Sequence, residues 1–222
     1  GMIYSRPGAM MASPDEFNIT IQGKGGHGAK PHETIDPVVI MAEFIMSAQK
    51  IVSRTIDPVK QAVISFGMVQ AGSADNIIPD SAFCKGTVRT FDTEVQSHII
   101  TKMDKLLQGL ALANDITYTL DYVKGYLPVH NHPNNYEIVK QAANEMNLRF
   151  YESELMMIGE DFSHYLKVRP GAFFLTGCGN PEKETTHPHH SPNFNIDEKA
   201  MKYAACEFLK ILELENVIVK AP

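Results

Sequence analysis

From Phe17 to Gln22 the chain alternates, with Phe17, Ile19 and Ile21 on one side and Asn18, Thr20 and Gln22 on the other. A period of two predicts a half-buried strand. After a glycine-rich loop, Asp36-Pro37 opens a helix, with Asp as cap and Pro in the first turn. Val39, Ile40, Phe44, Ile51 and Val52 form its buried stripe, to about Arg54. Asp57-Pro58 breaks the pattern. Residues 62–69 predict a second strand, with Ile64, Phe66 and Met68 on one side, and residues 81–91 a third. In the third, Lys85, Thr87 and Arg89 share one face, and Ala82, Cys84, Gly86 and Val88 the other. Asp92-Thr93 caps a second helix with the stripe Val95, Ile99, Met103, Leu106, Leu107 and Leu110. Ile116, Tyr118, Leu120 and Tyr122 alternate with Thr117, Thr119 and Asp121 in a fourth strand.

The order strand-helix-strand-strand-helix-strand is that of the ferredoxin-like split βαβ unit, an antiparallel sheet with both helices on one face. It occupies residues 14–124, and the fold class is α+β. After Gly125 the pattern changes. Residues 126–133 read as a loop, and Asn134-Asn135 caps a helix with Ile138, Val139, Ala142 and Met146 inward. Gly159-Glu160-Asp161-Phe162-Ser163 starts a short helix that the two acids cap. The apolar run 172–176 reads as a buried α/β strand. A last helix opens at Asp197-Glu198 with Met201, Ala204, Ala205, Phe208 and Leu212 inward. Residues 3–13 show neither a cap nor a strand pattern. These elements, residues 1–13 and 125–222, are too few to enclose an α/β core and read as part of a larger domain.

The 222 residues are 44% hydrophobic, enough for a real core. Twenty basic against 26 acidic residues give a net charge of −6, which argues against nucleic acid as a partner. RNA binding by the sheet also lacks an RNP-type aromatic run. Cys84, Cys178 and Cys206 are odd in number and scattered through strand or helix patterns. They read as core residues in a reducing compartment, so the expected localisation is cytoplasmic. No apolar run approaches the ~20 residues of a membrane span, and no membrane partner is expected.

Gly23-Lys24-Gly25-Gly26-His27-Gly28 fits the dinucleotide pattern Gly-x-Gly-x-x-Gly, but Pro31 and Pro37 delay the helix whose amides would meet a pyrophosphate. Nucleotide binding is rejected. An imidazole held on such a loop can donate to a developing negative charge or shuttle a proton; the plainer alternative is a polar surface turn. His187, His189 and His190 crowd one loop, either as one or two ligands of a transition metal or as a solvated His-rich segment. Arg89 is either a solvated charge or, beside a loop bearing Asn76, a clamp for a carboxylate.

Taken in order, Ser13-Pro14-Asp15-Glu16-Phe17, Gly23 to His32, Asp36-Pro37, Asp75-Asn76-Ile77-Ile78-Pro79-Asp80, Gly86-Thr87-Val88-Arg89-Thr90-Phe91, Gly159 to Ser163 and His190-Ser191-Pro192-Asn193-Phe194 resemble the M20 metallopeptidase family. The likeness is to its amidohydrolase branch, which acts on N-acyl amino acids. Each motif is short; together, across nearly the whole chain, they are specific. The resemblance implies a ferredoxin-like lid that dimerises (14–124) and the C-terminal part of an α/β catalytic domain. It implies that His27 reaches the partner's site to stabilise the tetrahedral intermediate, that Asn76 and Arg89 hold the substrate's carboxylate end, and that His190 is the last metal ligand. The metal would be zinc or manganese, dinuclear in the intact enzyme. The family's N-terminal metal-binding section and glutamate base find no match here, so the chain alone is expected to be inactive. The alternative is a non-catalytic dimerisation or small-molecule-binding module.

Overall fold

The structure, a computed structural model, describes residues 1–218. In chain order its elements are β1 (Ile3–Ser5), β2 (Gly8–Met11), β3 (Ser13–Gln22), β4 (Gly26–His27), α1 (Pro37–Thr55), β5 (Ala62–Ala71), β6 (Ile77–Ile78), β7 (Ser81–Thr90), α2 (Thr93–Asn114) and β8 (Thr117–Val123). There follow β9 (Val129–Asn131), α3 (Pro133–Glu145), β10 (Phe150–Glu152), α4 (Ser163–Val168), β11 (Leu175–Thr176) and α5 (Lys199–Leu214). The chain divides into two units. The ferredoxin-like unit runs from Met11 to Pro128 and takes in Met157–Asp161; Gly1–Met10, Val129–Met156 and the described residues from Phe162 onward form the C-terminal unit.

In the ferredoxin-like unit four strands lie in the order β5-β7-β3-β8, all neighbours antiparallel. Phe17, Ile19 and Ile21 of central β3 are completely buried against the helices, as are Phe44 of α1 and Ile99, Met103 and Leu107 of α2. Asp36 caps α1 by accepting from Val38 N, and Asp92 caps α2 by accepting from Glu94 N and Val95 N. Two details depart from the sequence pattern. Val39 lies outside the stripe, which runs through Ile40, Met41, Phe44, Ala48 and Ile51. In β5 the register shifts between Phe66 and Met68. This bulge turns Met68 out of line with Ile64, and Met68 is exposed.

The unit's one fully buried carboxylate, Asp15, is well satisfied. It accepts from Gln96 Nε2 at 2.6 Å, Tyr122 OH at 2.7 Å and Gly125 N at 3.0 Å. Burial, then the bond to Asp15, pushes the Tyr122 phenol far up. The carboxylate thus ties β3 to α2, to β8 and to the chain that leaves β8.

The C-terminal unit is built on residues whose pattern is too short to read. β1, expected to be irregular, is the middle of a three-stranded sheet, parallel to β10 and antiparallel to β11. β2 pairs with β9, inside the stretch expected to be loop. The buried run 172–176 contributes only the two residues of β11 and is half-buried. Asn131 knits these pieces: its Nδ2 donates to Arg6 O at 2.9 Å and Phe173 O at 3.1 Å, and its Oδ1 accepts from Phe173 N at 2.7 Å. His132, without a side-chain cap bond, precedes α3, and Pro133 takes the first turn in place of an Asn cap. α4 opens at Phe162, which makes no side-chain cap bond. α5 presents an unexpected face. Ala200 and Glu207 are buried, whereas Met201, Phe208 and Leu212 are exposed.

Candidate functional site

The glycine-rich run and the loop after β5 meet as a two-stranded clip, β4 against β6, with Gly26 opposite Ile78 and His27 opposite Ile77. Gly28 N donates to Asn76 O at 2.8 Å. His27 and Asn76 therefore stand on neighbouring rungs. Gly23 N donates to Asp80 O at 2.8 Å, and Gly25 N donates to Asp80 Oδ1 at 2.9 Å. The glycines answer to close approach: a Cβ on Gly25 would stand 2.6 Å from Ile78 O, and one on Gly23 would overlap Ile35 O. Two-residue strands carry no period, so the clip was invisible in the sequence.

His27 is exposed, and Ala29 N donates to its Nδ1 at 3.0 Å. An imidazole nitrogen that accepts carries no proton, so the neutral ring holds its proton on Nε2. That N–H has no protein acceptor among the described residues, nor does the exposed Asn76 amide make a side-chain hydrogen bond there. Both are donors on one rigid clip. This is the chemistry that stabilises an oxyanion.

Arg89 is elsewhere. Ser81, at the start of β7, is opposite Gln22 beside the clip, whereas Arg89 is opposite Pro14 and Val63 near the strand's far end. Eight residues at about 3.3 Å each separate the two by roughly 25 Å. The expectation that Arg89 lies beside the Asn76 loop fails for this reason: the loop joins one end of a ten-residue strand and Arg89 sits at the other. The guanidinium is half-buried and makes no ion pair among the described residues.

His190 belongs to the C-terminal unit. It is exposed, with a left-handed backbone at φ 66°. His187 and His189 are exposed too, and His189 packs edge-on against Phe194 at 5.0 Å. The loop is anchored behind them by Asp197. Asn180 Nδ2 donates to it at 2.7 Å and Lys183 Nζ at 2.8 Å, and these two bonds hold its carboxyl far below the usual carboxylate range. Among the described residues, no group of three or more His, Cys, Asp or Glu comes together to hold a metal ion. The side chains present therefore do not fit a dinuclear centre by themselves. Of the cysteines only Cys84 is core, with burial pushing its thiol up to about 11; Cys178 and Cys206 are half-buried.

Residues 15–115 match the peptidase dimerisation domain of the M20 type. YhaA, an amidohydrolase candidate of Bacillus subtilis (strain 168), is 41% identical over 92% of this chain and 52% of its own length. The chain belongs to the M20 peptidase family. An N-acetyldiaminopimelate deacetylase of Leuconostoc mesenteroides is 37% identical, over 90% of this chain and 52% of its own. Among solved structures, the YXEP protein of B. subtilis, a dinuclear metal-binding M20 peptidase, superposes with a TM-score of 0.78 at 28% identity. That match covers 96% of this chain and 53% of the other. The chain thus spans about half the length of the M20 relatives it matches, pairing a ferredoxin-like dimerisation domain with the C-terminal fragment of an α/β catalytic domain.

Proposed function

We propose that this chain is the lid and C-terminal catalytic part of a metal-dependent M20 amidohydrolase that removes the acyl group from an N-acyl amino acid. The observation that carries the reading is the backbone-held imidazole of His27, which offers Nε2–H outward next to Asn76. Such a donor is worth more in the transition state, where the carbonyl oxygen becomes an anion, than in the ground state. Arg89 suits the substrate's carboxylate, which a planar guanidinium grips with two parallel hydrogen bonds. His190 is one ligand of the whole enzyme's zinc or manganese centre. The other donors belong to the part of the enzyme that this chain does not match, and in this reading the chain alone is inactive. Relatives named for removing an acetyl group from nitrogen support the substrate class.

The separation of Arg89 from the clip has a consequence. A small N-acyl amino acid cannot touch both within one lid. One site therefore takes Arg89 from one subunit and His27 with Asn76 from the partner, in a homodimer. The edges of the sheet differ in a way that favours β5 as the meeting strand. β5 has ten residues without a single charge or proline, with Met68 and Val69 exposed. β8 at the other edge carries exposed Asp121, bonded to Asn18. An uncharged edge is a template for pairing with another chain. Among the described residues no helix is long and apolar enough to cross a membrane; the three free cysteines and the acidic balance accord with a cytoplasmic enzyme of small molecules.

The test is a chimera in which this chain replaces the matching half of the Leuconostoc mesenteroides deacetylase. Hydrolysis of N-acetyl amino acids is expected, with kcat about 10²–10³-fold lower in His27→Ala. A folded chimera without turnover would favour a non-catalytic module instead.

A further inference from the structure

At the base of the clip that carries His27 one side chain meets the glycine run. Asp80 takes two alternate amides of the glycine run, Gly23 N on its carbonyl at 2.8 Å and Gly25 N on Oδ1 at 2.9 Å. Its carbonyl also accepts from Gln22 Nε2 at 3.0 Å, at the end of β3. The register of the clip sets Gly25 across from Pro79, which has no N–H, so the β4–β6 ladder stops at Gly26 and Ile78. Beyond it Gly23 N is held by the Asp80 carbonyl and Lys24 pairs with Ile35 through two backbone bonds of 2.9 Å; the Asp80 carboxylate takes the amide left between them and the clip, Gly25 N. From this base the chain passes through two paired residues to the turn in which Ala29 N meets His27 Nδ1 at 3.0 Å. A charged acceptor on a backbone amide is stronger than a neutral one. Glycine-rich backbone otherwise explores many conformations.

We propose that Asp80 is a positioning residue for His27: its carboxylate fixes the glycine run so that the Ala29 amide can hold Nδ1 and keep the ring proton on Nε2. Asp80 is exposed and its carboxylate bonds a backbone amide of the run, not the ring, so it acts through the imidazole. The proposal rests on the donor role given to His27 above, and the two fail differently.

The experiment is 15N NMR of the histidine rings and amide hydrogen exchange in the full chain above pH 7.5, for the wild type, Asp80→Ala and Asp80→Asn. The wild type is expected to show His27 as the Nε2–H tautomer. In Asp80→Ala the tautomers mix, and exchange at Gly25, Gly28 and Ala29 quickens about tenfold, the loss of one charge-assisted hydrogen bond. The thermal midpoint falls by no more than a few degrees, the same bond read globally; a merely structural role would leave the tautomer unmoved. Asp80→Asn keeps a carbonyl acceptor and restores most of the tautomer preference. Unchanged tautomer and exchange in Asp80→Ala would overturn the positioning role. A wild-type His27 with its proton on Nδ1 would instead overturn the donor reading, whatever Asp80 does.

Discussion

The two units treat a buried acid in opposite ways. In the ferredoxin-like unit Asp15 is fully buried and receives three hydrogen bonds from three separate elements. In the C-terminal unit Glu207 is equally buried, and neither carboxylate oxygen has a partner among the described residues. The apolar surfaces differ likewise. The inward stripe of α2 meets the sheet, whereas α5 leaves Met201, Phe208, Leu209 and Leu212 exposed. One unit closes its own core; the other displays surface that its sequence pattern marks as interior. A burial pattern records which face is apolar and not whether anything covers it.

The largest expected effect sharpens that contrast. Phe44, fully buried, meets Phe66 edge-on at 5.9 Å. Phe44→Ala should cost about 3–5 kcal/mol in urea unfolding. Phe208, 58% exposed and in contact with Phe174 at 5.0 Å, should cost about 1 kcal/mol or less when changed to Ala. Equal losses would mean that α5 is covered.

Glu207 comes next. Burial pushes its carboxyl up to about 7 from 4.5. The folded value lies above the unfolded one, so the fold favours the protonated form. Stability is then greatest below about 4.5, falls as pH rises toward 7, and is level above it. The difference is on the order of 3 kcal/mol. Glu207→Gln should remove the slope between pH 5 and 8 as followed by thermal melting; a slope that survives would place its origin elsewhere.

The smallest effect belongs to the clip. His27→Ala removes an exposed ring, and stability should change by no more than about 0.5 kcal/mol. A loss of several kcal/mol would make His27 a structural residue.

These contrasts mark what was legible in the sequence. The ferredoxin-like unit was readable because its strands and helices are long enough for a period to repeat, and Asp36 and Asp92 announce their helices. The C-terminal unit was not, because β1, β9, β10 and β11 have two or three residues each, and Asn131 joins them through side-chain bonds that no pattern encodes. α5 was found with its faces misassigned: helical periodicity saw Phe208 and Leu212 as core and passed over Glu207. At the site, His27 and Asn76 were legible as residues, but their union in the clip needed the β4–β6 pairing. Arg89 was legible as a chemical group and misplaced in space, because its distance from Asn76 accumulates along a whole strand.

If a working site combines Arg89 of one subunit with His27 of its partner, two differently disabled chains restore each other. Co-expression of two inactive chimeras, one His27→Ala and the other Arg89→Ala, tests it directly. Half of randomly assembled dimers are mixed, and each would hold one intact site, so deacylation should return to roughly a quarter of the unmutated level. No recovery from mixed dimers that are shown to form would contradict the claim.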